Sequence, residues 1–295
     1  MARLEGSMVA IVTPFKDGAV DHAALRDLVE WQLAEGTEGI IPCGTTGEGA
    51  TLTPAERVEV VKTVLEVAKG KAAVIAGAGS NSTRDAIAAV QSAKELGADG
   101  ALVVTPYYNK PTQEGLYRHY VAIHDATRFP VVAYNVPSRT SVDLLPETVA
   151  RLAKAGAIAG IKEATANMDR QVQLVEKCGK DALSYLSGDD FTAVPYLACG
   201  GHGVISVVAN IAPRPFAEMV HLARAGRFAE AFAAQVRMAE LNRAMFVETN
   251  PGPVKAGVNL LGKVGPELRL PLVQVSEKSL AVVREAMTRY GLALA

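Results

Sequence analysis

Short apolar runs alternate with longer amphipathic stretches over the first three quarters of the chain. The runs are Met8–Val12, Gly39–Ile41, Ala73–Ala76, Ala101–Thr105, Val131–Tyr134, Ala157–Lys162, Leu183–Leu186 and Gly203–Ser206. Most are apolar throughout rather than alternating, the pattern of parallel strands covered on both faces. Runs this short also fit buried helix segments, but the flanking glycines and prolines favour strands. Between them, Thr53-Pro54-Ala55-Glu56 combines an N-cap, a first-position proline and a capping-box glutamate. Val58, Val61, Leu65 and Ala68 then recur at helical spacing, and Gly70 closes the helix. Segments 83–96, 113–127, 146–155, 168–178, 190–199 and 213–225 behave similarly. Strand then helix, repeated eight times in about 225 residues, predicts a (β/α)8 TIM barrel. An open doubly wound sheet is the alternative, because periodicity does not show closure. From about Arg227 the strand signals stop, and 227–246, 252–263 and 276–291 read as helices. Residues 1–226 are therefore expected to form the barrel and 227–295 an all-helical extension, with Asn250-Pro251-Gly252-Pro253 a local breaker inside it.

Composition narrows the function. Of 295 residues, 49% are hydrophobic, enough for a sizeable core. Thirty basic side chains against 31 acidic ones leave a formal charge of −1, with no electrostatic footprint for nucleic acid or anionic lipid. Cys43, Cys178 and Cys199 are far apart and form no C-x-x-C pair, so neither a disulfide framework nor a zinc knuckle is indicated. No signal-peptide core and no run near the ~18 apolar residues of a membrane span are visible. A cytoplasmic protein is expected.

In such barrels chemistry sits at the carboxyl ends of strands and in the loops that follow. Gly44-Thr45-Thr46-Gly47-Glu48 follows the second run and offers hydroxyls and backbone N–H groups to a carboxylate, unless it is merely a tight turn. It is not a Walker loop. Lys162 is the most informative of the 13 lysines. It ends an apolar run, where an inward side chain is desolvated, its pKa falls, and the neutral amine becomes a nucleophile for a ketone. The alternative is a buried lysine paired with a carboxylate such as Glu163. Tyr107, Tyr108 and Tyr134 lie at strand ends, as packing groups or proton carriers. Arg139 sits in a loop, either solvated or clamping a carboxylate. Gly77-Ala78-Gly79-Ser80-Asn81-Ser82 starts like a dinucleotide fingerprint but lacks its third glycine. The five histidines show no metal-ligand spacing, and no cofactor or metal site is read.

Taken in order, these residues resemble the dihydrodipicolinate synthases (4-hydroxy-tetrahydrodipicolinate synthases), lyases of the pyruvate-dependent, Schiff-base class I aldolase superfamily. The likeness runs through Val12-Thr13-Pro14-Phe15, Gly44-Thr45-Thr46-Gly47-Glu48, Thr105-Pro106-Tyr107-Tyr108-Asn109, Tyr134-Asn135-Val136-Pro137-Ser138-Arg139-Thr140, Ile161-Lys162-Glu163, Ser187-Gly188-Asp189-Asp190, Gly203-Val204-Ile205-Ser206 and Asn250-Pro251-x-Pro253-Val254-Lys255. The resemblance implies a reaction of pyruvate with L-aspartate 4-semialdehyde in lysine and diaminopimelate biosynthesis. It implies that Lys162 forms the Schiff base, while Tyr134, Thr45 and a neighbouring subunit's copy of Tyr108 relay protons. Thr46 would hold the pyruvate carboxylate and Arg139 that of the second substrate. Gly188 and Ile205 would lend backbone groups to the pocket. It also implies a homotetramer built as a dimer of dimers. Lysine feedback inhibition is common among such enzymes. Asn81 and Tyr107 match that site, but Gly49, Pro54, Arg57 and Asp85 depart from it, so weak or no inhibition is expected. Two other readings share parts of the pattern: a sibling aldolase such as N-acetylneuraminate lyase, and a barrel that binds a ligand without turnover.

Overall fold

The computed structural model describes residues 3–295. Eight parallel strands close into a barrel: β1 (Gly6–Ala10), β4 (Gly39–Ile41), β5 (Ala73–Gly77), β6 (Gly100–Val104), β7 (Val131–Asn135), β8 (Gly160–Glu163), β9 (Ser184–Ser187) and β10 (Gly203–Ser206). A small hairpin, β2 (Phe15–Lys16) and β3 (Ala19–Val20), follows β1. Closure is direct, because β1 pairs with β10 on one side and β4 on the other. That excludes the open sheet.

Helices fill the crossovers: α1 (His22–Ala34), α2 (Pro54–Ala68), α3 (Thr83–Leu96), α4 (Gln113–Thr127), α5 (Pro137–Thr140), α6 (Pro146–Lys154), α7 (Met168–Cys178), α8 (Ala193–Ala198) and α9 (Pro213–Arg224). The capping box on α2 is formed as its sequence requires: Thr53 Oγ1 accepts from Glu56 N, and Glu56 Oε2 accepts from Thr53 N. Three more helices follow, α10 (Phe228–Ala244), α11 (Gly252–Leu260) and α12 (Glu277–Tyr290).

Strand alternation divides the core into two layers. On β7, Val131 and Ala133 face the helices, whereas Val132 and Tyr134 face the barrel interior with Met8, Ile41, Leu102, Leu186 and Ile205. The apolar runs look continuous because both faces are covered. The C-terminal helices share the outer layer: Met238, Leu241, Val254, Val258 and Met287 belong to the same cluster as Val9 and Phe216. Each such side chain, fully buried, contributes roughly 1.5–3 kcal/mol.

The structure departs from the sequence expectations in detail. The helix α1, the β2–β3 hairpin and the single turn α5 are additional to the elements the sequence pattern predicts. Strand β8 begins at Gly160, with Ala157–Ala159 outside it, and α8 is shorter than residues 190–199. Short elements carry too few periodic positions to stand out from loops. The helix α1 carries Leu25, Leu28 and Val29 at helical spacing, but the next buried position of that face is the polar Gln32.

Candidate active site

Register places three residues side by side on the barrel's inner wall. Tyr134 on β7 pairs with Lys162 on β8, which pairs with Leu186 on β9. Lys162 is 5% exposed, and its Nζ lies 4.4 Å from the centroid of the Tyr134 ring. Among the described residues it has no ion-pair partner within 4.0 Å. The alternation that turns Lys162 inward turns Glu163 outward. Glu163 accepts hydrogen bonds from Asn135 Nδ2 at 3.0 Å and Thr165 N at 2.8 Å, and lies 3.9 Å from Arg170 Nε. The Lys162–Glu163 pair considered from sequence therefore does not form.

Burial brings the Lys162 pKa down to about 8. The Asp190 carboxylate opposes that shift and Arg139 adds to it. At pH 7 about one amine in ten is then neutral, against roughly one in three thousand at an ordinary lysine pKa. Asp190 is itself pushed up to about 6 by burial, although the N–H groups of Val207 and Val208 donate to it at 3.0 and 2.9 Å. Burial also raises the Tyr134 phenol, against which the Arg139 charge and the Thr45 hydroxyl act.

Gly188 lies against the lysine stem. A Cβ there would sit 2.8 Å from Lys162 Cε and 3.1 Å from Cγ, so only bare backbone fits. Its N–H donates to the Glu163 carbonyl at 2.7 Å. Ile205 is buried in the interior cluster with Tyr134 and Leu186.

The loop after β4 is a tight turn with open donors. Glu48 N donates to Thr45 O and Gly49 N to Gly44 O. The Thr45 and Thr46 N–H groups meet no protein acceptor among the described residues. Gly47 is required by close approach, since a Cβ would lie 3.0 Å from the Ile11 carbonyl. Below the turn Glu48 and Lys255, both fully buried, pair at 2.6 Å, with the Lys255 Nζ 4.1 Å from the Phe15 ring centroid. Burial lowers the Lys255 pKa, and Glu48 resists that.

A cavity of about 370 Å³ opens at this end of the barrel. Thr45, Tyr107, Tyr134, Arg139 and Asn250 line it. Arg139 sits on α5, donates to the Asn250 carbonyl at 3.2 Å, and meets no carboxylate among the described residues. Thr46 is buried and accepts from Asn250 Nδ2 at 3.0 Å. Of the expected site residues, Thr45, Tyr134 and Arg139 line this cavity; Lys162 lies against the Tyr134 ring, Gly188 against the lysine stem, Ile205 in the same interior cluster, and Thr46 is held by Asn250. Tyr108 makes none of these contacts and is 90% exposed, with φ at +72°.

The profile of the dihydrodipicolinate synthetase family matches residues 3–289. The chain belongs to that family. It is 77% identical to the 4-hydroxy-tetrahydrodipicolinate synthase of Anaeromyxobacter dehalogenans over the whole of both chains. It is 52% identical to that of Citrifermentans bemidjiense over 98% of this chain and 99% of the relative. Its fold matches the chloride-inhibited dihydrodipicolinate synthase of Acinetobacter baumannii complexed with pyruvate, with a TM-score of 0.96 and 45% identity over 98% and 99% of the two chains. In this member of the family, the residues that sequence reasoning left without a role are Asn250 and Lys255, which reach the cavity end from the C-terminal helices. Their only sequence signal was membership of the Asn250-Pro251-x-Pro253-Val254-Lys255 motif, which carries no chemistry by itself.

Proposed function

We propose that the chain is a lyase that condenses pyruvate with L-aspartate 4-semialdehyde to 4-hydroxy-tetrahydrodipicolinate, a step of lysine and diaminopimelate biosynthesis. The observation that carries this reading is a buried lysine with no ion-pair partner within 4.0 Å among the described residues, 4.4 Å from a buried tyrosine ring at the end of the sixth barrel strand. The neutral Lys162 Nζ adds to the ketone carbon of pyruvate, and loss of water gives an iminium. That cation is an electron sink, so the methyl group releases a proton and leaves an enamine. The enamine carbon bonds to the aldehyde carbon, whose oxygen takes up a proton. The substrate's own amine then adds to the former ketone carbon and expels Lys162 as the ring closes.

Tyr134 is the proton carrier nearest the reacting carbon, with Thr45 beside its hydroxyl. Thr46 and the open N–H groups of the turn suit the pyruvate carboxylate, and Arg139 suits the carboxylate of the aldehyde. Gly188 and Ile205 complete the wall around the lysine.

Tyr108 completes the relay from a second subunit. Its exposure and left-handed backbone fit a side chain held out towards a partner, and exposed Leu270 and Val273 offer apolar surface elsewhere. A further apolar row, Phe228, Phe232 and Val236 on α10, supports a second contact and hence a dimer of dimers. Sedimentation velocity should give a tetramer; a monomer at micromolar concentration overturns the assembly. Three free cysteines suit a reducing cytoplasm, and no helix among the described residues is long and apolar enough to cross a membrane.

Borohydride reduction in the presence of pyruvate, followed by peptide mass mapping, should place one reduced pyruvate on Lys162. Lys162→Ala should lose at least about 10³-fold in turnover with aspartate semialdehyde. A label elsewhere, or a preference for sugar aldehydes, overturns the reading.

A further inference from the structure

Asn250 touches both groups that the proposed function assigns to substrate carboxylates. Its Nδ2 donates to Thr46 Oγ1 at 3.0 Å, and its main-chain carbonyl accepts from Arg139 Nη2 at 3.2 Å. The residue is 4% exposed and contributes to the cavity wall. Its Oδ1 is buried and has no protein partner.

We propose that Asn250 is a positioning residue that sets Thr46 and Arg139 against one another, so that the two carboxylates are held at a defined separation. The chemistry follows from hydrogen-bond direction. An amide N–H that donates to Thr46 Oγ1 occupies an acceptor site of that hydroxyl, so its own proton points elsewhere and is available to a carboxylate oxygen. The carbonyl does the converse for Arg139: it holds one guanidinium nitrogen and leaves the others for a bidentate carboxylate. Both restraints come from one residue between α10 and α11. Most buried side-chain polar atoms are hydrogen-bonded; the Asn250 Oδ1 meets no protein donor among the described residues and borders the cavity.

The inference rests on the synthase reading, and steady-state kinetics on Asn250→Ala test it. KM for pyruvate should rise about tenfold while kcat falls less than about threefold, and KM for aspartate semialdehyde should rise less, because the main-chain carbonyl that holds Arg139 survives the substitution. Thr46→Val should raise the pyruvate KM in the wild type but add less than about twofold in the Asn250→Ala background, because the two act through one contact. A fall in kcat and thermal midpoint with both KM values unchanged overturns the assignment. Should Asn250→Ala not fold, Asn250→Asp keeps the volume, removes the donor and places an anion beside Arg139. Raised KM values for both substrates then support the proposal, and unchanged ones overturn it. Borohydride trapping of pyruvate on the wild-type enzyme separates the two levels. Failure there removes the synthase reading and this inference together, whereas successful trapping with unmoved KM values removes the role of Asn250 alone.

Discussion

At the residue scale, the barrel holds a lysine where its charge is poorly tolerated. The folded pKa of Lys162, about 8, lies below its ordinary value of 10.5, so the folded state binds fewer protons than the unfolded chain between those limits. Stability therefore rises with pH from about 8 to 10.5, and the full penalty applies below 8. The depression corresponds to at most ~3 kcal/mol at neutral pH. Lys162→Met should abolish turnover and raise stability at pH 7 by up to that amount, with the gain fading towards pH 10.5; chemical denaturation at two pH values measures it. The rate of imine formation with pyruvate should climb with pH, reach half its maximum near 8 and level off above that, which borohydride trapping at timed intervals follows. A profile flat from pH 6 to 9 would contradict a desolvated amine. Gly188→Ala places a methyl against the lysine stem. It should reduce turnover by about 100-fold for a stability loss of about 1–3 kcal/mol, the usual range for overpacking. A loss of stability in the thermal assay with turnover unchanged would mean that the wall, not the lysine, moved.

At the scale of elements, two contacts tie the loop after β4 to the chain around α11: Asn250 on Thr46 and Lys255 on Glu48. The second is a fully buried pair, also capped by Arg269 N donating to Glu48 Oε2 at 3.0 Å. Removing one partner strands a charge in the core. Glu48→Gln should destabilise by about 3–5 kcal/mol, whereas replacing both by apolar residues of similar size should lie closer to the wild type. Urea unfolding of the single and double variants distinguishes these outcomes. Of these residues only Lys255 lies on a helix, α11, which was legible in the sequence with its start at the Asn250-Pro251-Gly252-Pro253 breaker. The contacts themselves were not, because Glu48 and Lys255 are 207 positions apart and neither differs locally from a surface charge.

At the scale of the whole molecule, we read residues 1–226 as the catalytic barrel and 227–295 as its extension. The extension supplies Asn250 to the cavity, so deleting it should disable substrate binding as well as stability. A second space of about 460 Å³ lies beside α2 and α3, with Pro54, Arg57, Asp85 and Tyr107 in its wall. The Arg57 guanidinium donates to the Gly49 carbonyl. With that cation already occupying the region, free lysine in the tens of micromolar should leave activity unchanged. Inhibition in that range, measured by the coupled assay, would show that other residues there serve instead.

Local physical chemistry determined much of this protein in advance. Two-sided burial makes the strands read as unbroken apolar runs, and caps and periodicity mark the long helices. A lysine at the end of such a run is desolvated if its side chain points inward. What only the tertiary structure decided is pairing: that β1 meets β10, that Tyr134 stands beside Lys162 while Glu163 turns away, and that Asn250 reaches Thr46 across most of the chain. Closure, register and long-range contact depend on which distant faces meet, and a one-dimensional pattern carries the period of each face but not the identity of its partner.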